Sequence, residues 1–176
     1  MILLVIDMQK ALVCDELYGY DTLVKRIPKL VLEARLNNVE VIFFKHDAGM
    51  GSGLSVGDAG FEIIDEAKPL PTEKVYIKTI NSCFGNQEFK NYLKTKADKR
   101  LMIVGLQTNY CIDATLKSAF ERGYEVIIPE GTNSTFDNDY MSAEVTVHYY
   151  NDDVWDGMAD KVSFNEAIAI IKEAKN

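Results

Sequence analysis

The segment Leu101-Met-Ile-Val-Gly-Leu-Gln-Thr-Asn-Tyr-Cys111 joins an apolar run of strand length to a helical pattern. The strand pattern covers Leu101–Leu106, and the helical pattern covers Asn109–Arg122, with a glycine directly after it. Cys111 therefore lies just inside a helix start, where free backbone N–H groups and the helix dipole favour a thiolate. We expect a lowered pKa for this thiol, which makes Cys111 a candidate nucleophile. A buried, inert cysteine is the competing interpretation.

The alternation of strand and helix patterns extends over the rest of the chain. Further apolar runs predict strands at Ile2–Ile6, Val39–Phe44, Val75–Ile77, Tyr124–Ile128 and Lys161–Val162. Further helical patterns begin near Asp21, Asn86, Met141 and Ser163. Because a proline disrupts a helix interior, Pro28 predicts that the first helix kinks or starts later. The glycine-rich segment 48–60 predicts a long loop.

Most of these strand patterns are continuous apolar runs, which are typical of strands buried on both faces of a sheet. Alternating strands and helices form a parallel sheet that helices cover on both sides. We therefore predict one α/β domain over residues 1–176. Its fold is expected to be a three-layer α/β/α arrangement with a five- to six-stranded parallel sheet of Rossmann-like type. In such sheets, ligands bind outside the carboxyl ends of the strands.

Polar residues follow the predicted strands at this edge of the sheet. Asp7 follows the first strand, His46 the second and Lys78 the third. Each of these residues also has an ordinary structural interpretation. His46 fits the role of a hydrogen-bonded loop residue, and Asp7 fits that of a carboxylate that pins a loop or caps a helix. Lys78 fits the role of a cation that forms an ion pair with Asp7. The other histidine, His148, lies in a helical pattern away from this edge, and we interpret it as structural.

Composition argues against several function classes. The chain has 176 residues, a net charge of −8 and no basic run, so we predict no nucleic-acid partner. No apolar run approaches the roughly 18 residues of a membrane span, and the N-terminus lacks a signal-peptide pattern. We therefore predict a cytoplasmic protein without a membrane partner. The three cysteines match neither a disulfide framework nor a zinc pattern, and we interpret Cys14 and Cys83 as structural.

Three sequence motifs together resemble a known family. They are Leu3-Leu-Val-Ile-Asp-Met-Gln9, Lys78-Thr-Ile-Asn-Ser-Cys-Phe84 and Gly105-Leu-Gln-Thr-Asn-Tyr-Cys-Ile-Asp-Ala-Thr115. Over nearly its whole length the chain is similar to isochorismatase-like cysteine hydrolases, a family that includes nicotinamidases and N-carbamoylsarcosine amidase-type enzymes. Three ordered motifs are much more specific than any one of them alone. The resemblance implies the isochorismatase-like hydrolase fold.

The resemblance also implies a catalytic triad of Asp7, Lys78 and Cys111. In this family the carboxylate takes the thiol proton, the ammonium group stabilises the thiolate, and the sulfur attacks an electrophilic carbon. Backbone N–H groups of Gln107 and Cys111 would form the oxyanion hole. A non-proline cis peptide would fall between Leu106 and Gln107. The residues that we expect to contact substrate are His46, Phe84 and Tyr110.

Departures from the family pattern narrow the expected reaction. Nicotinamidases carry an Asp-x-His pair after the second strand as part of a metal site, whereas this chain has Lys45-His-Asp-Ala48. We therefore predict no metal and no other cofactor, and hydrolysis of a small amide or related C–N bond through a thioester. A vinyl-ether hydrolase of the isochorismate type is one alternative. A non-catalytic redox sensor or binding module is another. A dinucleotide-binding oxidoreductase is disfavoured, because the required glycines are missing after the first strand.

The expected partners are a small-molecule substrate and further copies of the chain. Members of this family commonly assemble, so the resemblance implies a homo-oligomer, either a dimer or a tetramer. Trp155 would then lie in the oligomer interface or, equally well, in the core of the chain.

Overall fold

The computed structural model describes residues 1–174, and within them a single sheet holds seven strands that all pair in parallel. They are β1 (Ile2–Ile6), β2 (Glu40–His46), β3 (Lys74–Lys78), β4 (Arg100–Leu106), β5 (Glu125–Pro129), β6 (Asn133–Ser134) and β7 (Asp160–Val162). Their order is β3-β2-β1-β4-β5-β7, with β6 also paired to β4. The predicted parallel sheet is confirmed, but β6 was missed because two polar residues carry no strand pattern.

Within residues 1–174, five α-helices cover the two faces of this sheet. They are α1 (Tyr20–Leu36), α2 (Gln87–Lys94), α3 (Asp113–Phe120), α4 (Ala143–Tyr149) and α5 (Phe164–Glu173). Apolar side chains of α1 and α5, such as Ile27 and Ile171, pack in the core on one face. Those of α2 and α3, such as Phe89 and Leu116, pack in the core on the other. The predicted three-layer α/β/α fold is therefore confirmed.

The first helix begins at Tyr20, one residue before the start expected near Asp21. Its N-cap is Gly19, which has a left-handed conformation. The carbonyl of Gly19 accepts hydrogen bonds from the backbone N–H groups of Thr22 and Leu23. Pro28 lies inside the helix, so the helix does not start later to avoid it. Among residues 1–174, no helix combines the length and the hydropathy that a membrane crossing requires.

The central strand β1 sets the position of the carboxyl edge of the sheet. Its five residues pair in register with residues 40–44 of β2 on one side and 101–105 of β4 on the other. None of its side chains is more than 3% exposed, because both faces are covered. Asp7, which follows β1, is consequently buried between the ends of two neighbouring strands.

Gly105 allows β4 to approach β1 closely at this edge. It pairs with Ile6 and has a φ of 123°, in the region that favours glycine. A Cβ atom at this position would lie 1.9 Å from the carbonyl oxygen of Ile6. A side chain therefore cannot be added here unless β1 and β4 move apart.

We predict that Gly105→Ala lowers the free energy of unfolding by more than about 3 kcal/mol, because it combines a steric clash with an unfavourable φ. The matched control is Gly123→Ala, which also has a positive φ but open space around the added Cβ. It should cost about 1–2 kcal/mol, from backbone conformation alone. Urea unfolding curves measure both values, and equal losses in the two variants would contradict the close approach.

Candidate active site

Three polar side chains from separate segments of the chain meet at the carboxyl edge of the sheet. The ammonium nitrogen of Lys78 lies 2.7 Å from Asp7 Oδ2 and 3.1 Å from Cys111 Sγ. Asp7, Lys78 and Cys111 are only 1%, 3% and 8% exposed. The structure therefore brings together all three residues of the expected triad, with the cation between the carboxylate and the sulfur.

The backbone turns sharply at Asp7 to place its carboxylate in this cluster. Asp7 has a φ of 53°, a left-handed conformation that aspartate tolerates better than most residues. Its N–H group donates to the carbonyl of Phe44 at 3.0 Å, which ties the turn to β2. Within residues 1–174, the Oδ1 atom of Asp7 is buried and accepts no hydrogen bond. This oxygen is thus available as an acceptor for a proton.

The Lys78 ammonium has three N–H donors and three neighbouring acceptors. The third acceptor is His46 Nδ1, at 3.3 Å. Burial alone would lower the pKa of Lys78, but its interaction with Asp7, together with smaller ones with Cys111 and Cys83, outweighs burial and raises that pKa. Lys78 is therefore a cation at neutral pH. Burial and the Lys78 charge lower the pKa of His46, so its imidazole is neutral and can accept this hydrogen bond.

The position of Cys111 differs from the one predicted from the sequence. Residues Thr108–Ile112 form a π-helical turn, and α3 begins only at Asp113. Burial, followed by the charge of Asp7, raises the pKa of the Cys111 thiol to about 12, although Lys78 acts in the opposite direction. The expected lowered pKa is therefore wrong. Desolvation and a neighbouring carboxylate dominate over the helix start, so the resting thiol is protonated.

Burial likewise raises the pKa of Asp7, outweighing the lowering effect of Lys78. A carboxylate with a raised pKa is a stronger base than an ordinary one. Asp7 and Cys111 thus share one cation in a site that little water reaches. A proton that leaves the thiol has a suitable acceptor close by.

Gln9 is a site residue that sequence reasoning did not identify. Its Oε1 accepts from the His46 N–H at 2.7 Å, and its Nε2 donates to the carbonyls of His46 and Phe61 at 3.0 and 3.1 Å. The buried amide therefore fixes the end of β2 and the orientation of His46. The only sequence signal was its place in the first motif, two residues after Asp7.

The peptide bond between Leu106 and Gln107 is cis, at the position that the family resemblance implied. The carbonyl of Gln107 accepts from the N–H groups of both Tyr110 and Ile112, at 3.1 Å each. Its side-chain Oε1 lies 3.1 Å from the hydroxyl of Thr135, in the polar segment after β6. Thr135 also lacked a sequence signal, because its contact is made by a distant segment.

The expected substrate contacts lie in different surroundings. Phe84 is buried in an aromatic cluster, with its ring centroid 5.5 Å from Phe89 and 5.8 Å from Tyr124. These contacts make it a core residue, and they give no support to a role in substrate binding. Tyr110, next to Cys111, is 51% exposed. His46 faces Lys78, so its observed contact is with the triad.

Two further residues are placed by the structure. Trp155 is buried and its Nε1 donates to Asp113 Oδ1 at 2.9 Å, which assigns it to the core. Asn81, from the second motif, is exposed, and its Oδ1 lies 3.8 Å from Cys111 Sγ. Asn81 was not singled out from the sequence, because nothing in a loop asparagine predicts contact with a distant thiol.

One group of metal-binding residue types lies in the site. Ligand atoms of Asp7, His46 and Cys111 all lie within 4.8 Å of one another. However, the Lys78 ammonium is 2.7 to 3.3 Å from an atom of each of them. The ligand atoms of these three residues therefore surround the Lys78 ammonium group. Asp47 lies in the segment that stands where nicotinamidases have their Asp-x-His pair. Its Oδ1 accepts a hydrogen bond from the N–H of Gly49.

The fold has three layers, α/β/α, and the Asp7 carboxylate, the Lys78 ammonium group and the Cys111 thiol meet at the carboxyl edge of its sheet. These features indicate an enzyme of the α/β class with a cysteine in its site. The isochorismatase domain model matches residues 1–149. The chain therefore belongs to the isochorismatase family and is a hydrolase of that family.

Individual relatives agree with this assignment. The ureidoacrylate amidohydrolase RutB of Yersinia enterocolitica is 26% identical, over 73% of this chain and 72% of that protein. The streptothricin hydrolase of Streptomyces noursei is also 26% identical, over 77% of this chain but only 54% of the relative. A solved isochorismatase-family protein from Chromobacterium violaceum has a TM-score of 0.90 at 23% identity, covering 98% of this chain and 93% of that one. At that identity the last likeness shows the fold alone.

We predict that Cys111 forms no thiolate up to about pH 9 in the resting protein, whereas an ordinary cysteine ionises near about 8.5. The measurement is the thiolate absorbance near about 240 nm during a pH titration, as the difference between the wild type and Cys111→Ala. Asp7→Asn removes the nearby negative charge, so it should lower the pKa of the thiol. A difference signal that develops below about pH 8 in the wild type would contradict the buried, protonated thiol.

We predict that His46→Ala slows acylation of Cys111 about tenfold, because Lys78 loses an acceptor that orients it. The measurement is the release of nitrophenolate from p-nitrophenyl acetate, with the fold checked by circular dichroism. The chain has only one other histidine, so His148→Ala is a matched control. His148 is exposed and lies near Asp152, away from the triad. Equal rates in the two variants would show that the Lys78–His46 contact has no functional role.

Proposed function

We propose that this chain is a metal-independent cysteine hydrolase that cleaves a C–N bond of a small amide or carbamoyl compound. One observation carries the proposal: the Lys78 ammonium lies between the Asp7 carboxylate and the Cys111 sulfur, within hydrogen-bond distance of both. The name of one relative, a ureidoacrylate amidohydrolase, supports C–N cleavage as the reaction class, and the streptothricin hydrolase supports hydrolysis.

The first step forms a covalent intermediate. As Sγ of Cys111 adds to the carbonyl carbon, its proton passes to Asp7, whose Oδ1 is buried and free of other donors within residues 1–174. Lys78 stays charged throughout and stabilises the sulfur as negative charge develops on it. The negative charge on the carbonyl oxygen is then stabilised by backbone N–H groups of Gln107 and Cys111 in our proposal.

The second step releases the nitrogen group and then the acyl group. The C–N bond breaks as the leaving nitrogen takes the proton held by Asp7, which leaves a thioester on Cys111. Water then attacks the thioester as Asp7 accepts a proton from it, and Asp7 returns this proton to the sulfur as the C–S bond breaks. The cycle ends with the Cys111 thiol and the Asp7 carboxylate restored, so Asp7 acts twice as a base and twice as an acid.

A redox sensor is a weaker candidate for the same cysteine. Oxidation of cysteine requires thiolate and exposure to the oxidant. The Cys111 thiol is 8% exposed, and burial raises its pKa to about 12. Both properties favour a nucleophile that is deprotonated only during attack on a bound substrate.

We predict that Cys111→Ala and Asp7→Asn each lower kcat by about 10³-fold or more, because nucleophile and base act as one unit. A screen of small amides, ureido compounds and isochorismate-type vinyl ethers identifies a substrate, and mass spectrometry of the quenched reaction detects the thioester. In the wild type, the rate should fall with decreasing pH as Asp7 is protonated. Because its pKa is raised, this loss should start above the pH range of an ordinary aspartate. Unchanged turnover in Cys111→Ala would exclude the proposed mechanism.

A further inference from the structure

A cavity beside the amino end of α1 is lined by none of the three triad residues. Its walls come from α1 and the turn before it, the segment after β5, and residues of β6, α4 and β7. Its volume is about 270 Å³, just below the range of about 300–1,000 Å³ that is typical of drug-sized ligands. The cavity is therefore large enough for a small molecule.

The charges around this cavity differ from those of the chain as a whole, whose net charge is −8. Within residues 1–174, Arg26 and Lys161 are cationic lining residues, and Glu130 is the only acidic one. The ammonium group of Lys161 is already paired with Asp152. Arg26 is thus the cation through which the cavity could hold an anion.

The guanidinium group of Arg26 is fixed in place with most of its donors unused. Its Nη1 donates to the carbonyl of Glu130 at 2.5 Å, and the group lies 5.0 Å from the centroid of the Phe164 ring. Within residues 1–174 the half-buried side chain makes no further hydrogen bond and no ion pair. Because a guanidinium is a planar fork of N–H groups, the remaining donors can bind both oxygens of a carboxylate.

Gly131 provides the space in which this guanidinium lies. It has a φ of 69°, and a Cβ atom at this position would be 2.5 Å from Nη1 of Arg26. The same Cβ would be 3.0 Å from Cγ2 of Thr22, one turn earlier in α1. The wall of the cavity is therefore shaped around the charged group of Arg26.

Other lining residues favour an organic anion over an inorganic one. Tyr18 and Val147 are half-buried, and His148 is exposed, so each retains surface that a ligand could cover. Small-molecule sites combine such apolar and aromatic walls with a few polar groups that fix orientation. The carboxylate of Glu130 would repel a dianion more strongly than a monoanion.

We propose that this cavity is a binding site for a small organic monocarboxylate. The carboxylate of the ligand pairs with Arg26, and its apolar part lies against Tyr18 and Val147. This inference is independent of the proposed reaction, because neither Cys111 nor another triad residue lines the cavity.

The test titrates the full chain with benzoate, with benzyl alcohol as its uncharged counterpart and with inorganic phosphate as the other kind of anion. Amide NMR spectra give both the Kd and the place of binding. Benzoate should shift the signals of Gly19 and Gly131 and leave that of Cys111 in place. Its Kd should be about tenfold or more below those of benzyl alcohol and phosphate, as expected for a charge-assisted pair with additional apolar contacts.

Two substitutions should change the Kd for benzoate in opposite directions. Arg26→Gln should raise it about tenfold or more, because the charge-assisted pair is lost. Glu130→Gln should lower it about twofold, because a repelling charge at an exposed position is removed. The melting temperature of each variant shows whether the fold is intact.

The matched control is Arg122→Gln. The guanidinium of Arg122 also donates to a carbonyl, that of Ser118 at 2.8 Å, and lies 5.0 Å from an aromatic centroid, that of Phe84. Arg122 is exposed and does not line the cavity, so this substitution should leave the Kd within about twofold.

Three outcomes would overturn the proposal. One is a Kd for benzoate that neither Arg26→Gln nor Glu130→Gln changes. Another is a shift centred on Cys111, which would place benzoate at the triad. The third is binding of benzyl alcohol or phosphate as tight as that of benzoate. Cys111→Ala should bind benzoate as the wild type does, so failure of the proposed function leaves this result unchanged.

Discussion

The buried ammonium group of Lys78 is the constraint that organises the site. A cation at 3% exposure must be compensated by nearby acceptors, because isolated charges are costly away from water. Asp7 and His46 supply acceptors at the ends of β1 and β2, and Cys111 supplies one from the π-helical turn after β4. The ion pair therefore depends on the register of four adjacent strands. A shift of one residue in any of these strands would remove an acceptor and leave a buried charge unpaired.

In the proposed mechanism, this arrangement keeps the Cys111 nucleophile neutral at rest and provides for its activation. The same burial that raises the pKa of the Cys111 thiol also raises the pKa of Asp7. A thiol in water would lose its proton more readily but would have no dedicated acceptor for it. Here the acceptor and the stabilising cation are already oriented, so little reorganisation is needed when the sulfur attacks. The proposed catalysis is therefore compatible with low reactivity of the resting thiol.

Local patterns predicted the layers of the fold and the residues of the expected triad, but they did not predict the protonation states of those residues. Continuous apolar runs identify strands such as β1, whose burial on both faces follows from the run itself. Ordered motifs pointed to Asp7, Lys78 and Cys111, because all three follow or end strands of one parallel sheet. Phe84 illustrates the limit, since its motif position suggested a substrate contact and its neighbours Phe89 and Tyr124 make it core.

The sequence by itself determined the α/β architecture, the sheet edge at which the candidate site lies and the identities of its three central residues. These properties follow from short-range periodicity and from motifs, both of which are local features of the sequence. Only the tertiary structure decided that the Cys111 thiol is protonated, that His46 contacts Lys78 and that Asn81 lies beside the sulfur. Each of these depends on distances and burial among segments 30 or more residues apart. Desolvation and hydrogen bonding arise only when such segments pack together, so no local pattern encodes them.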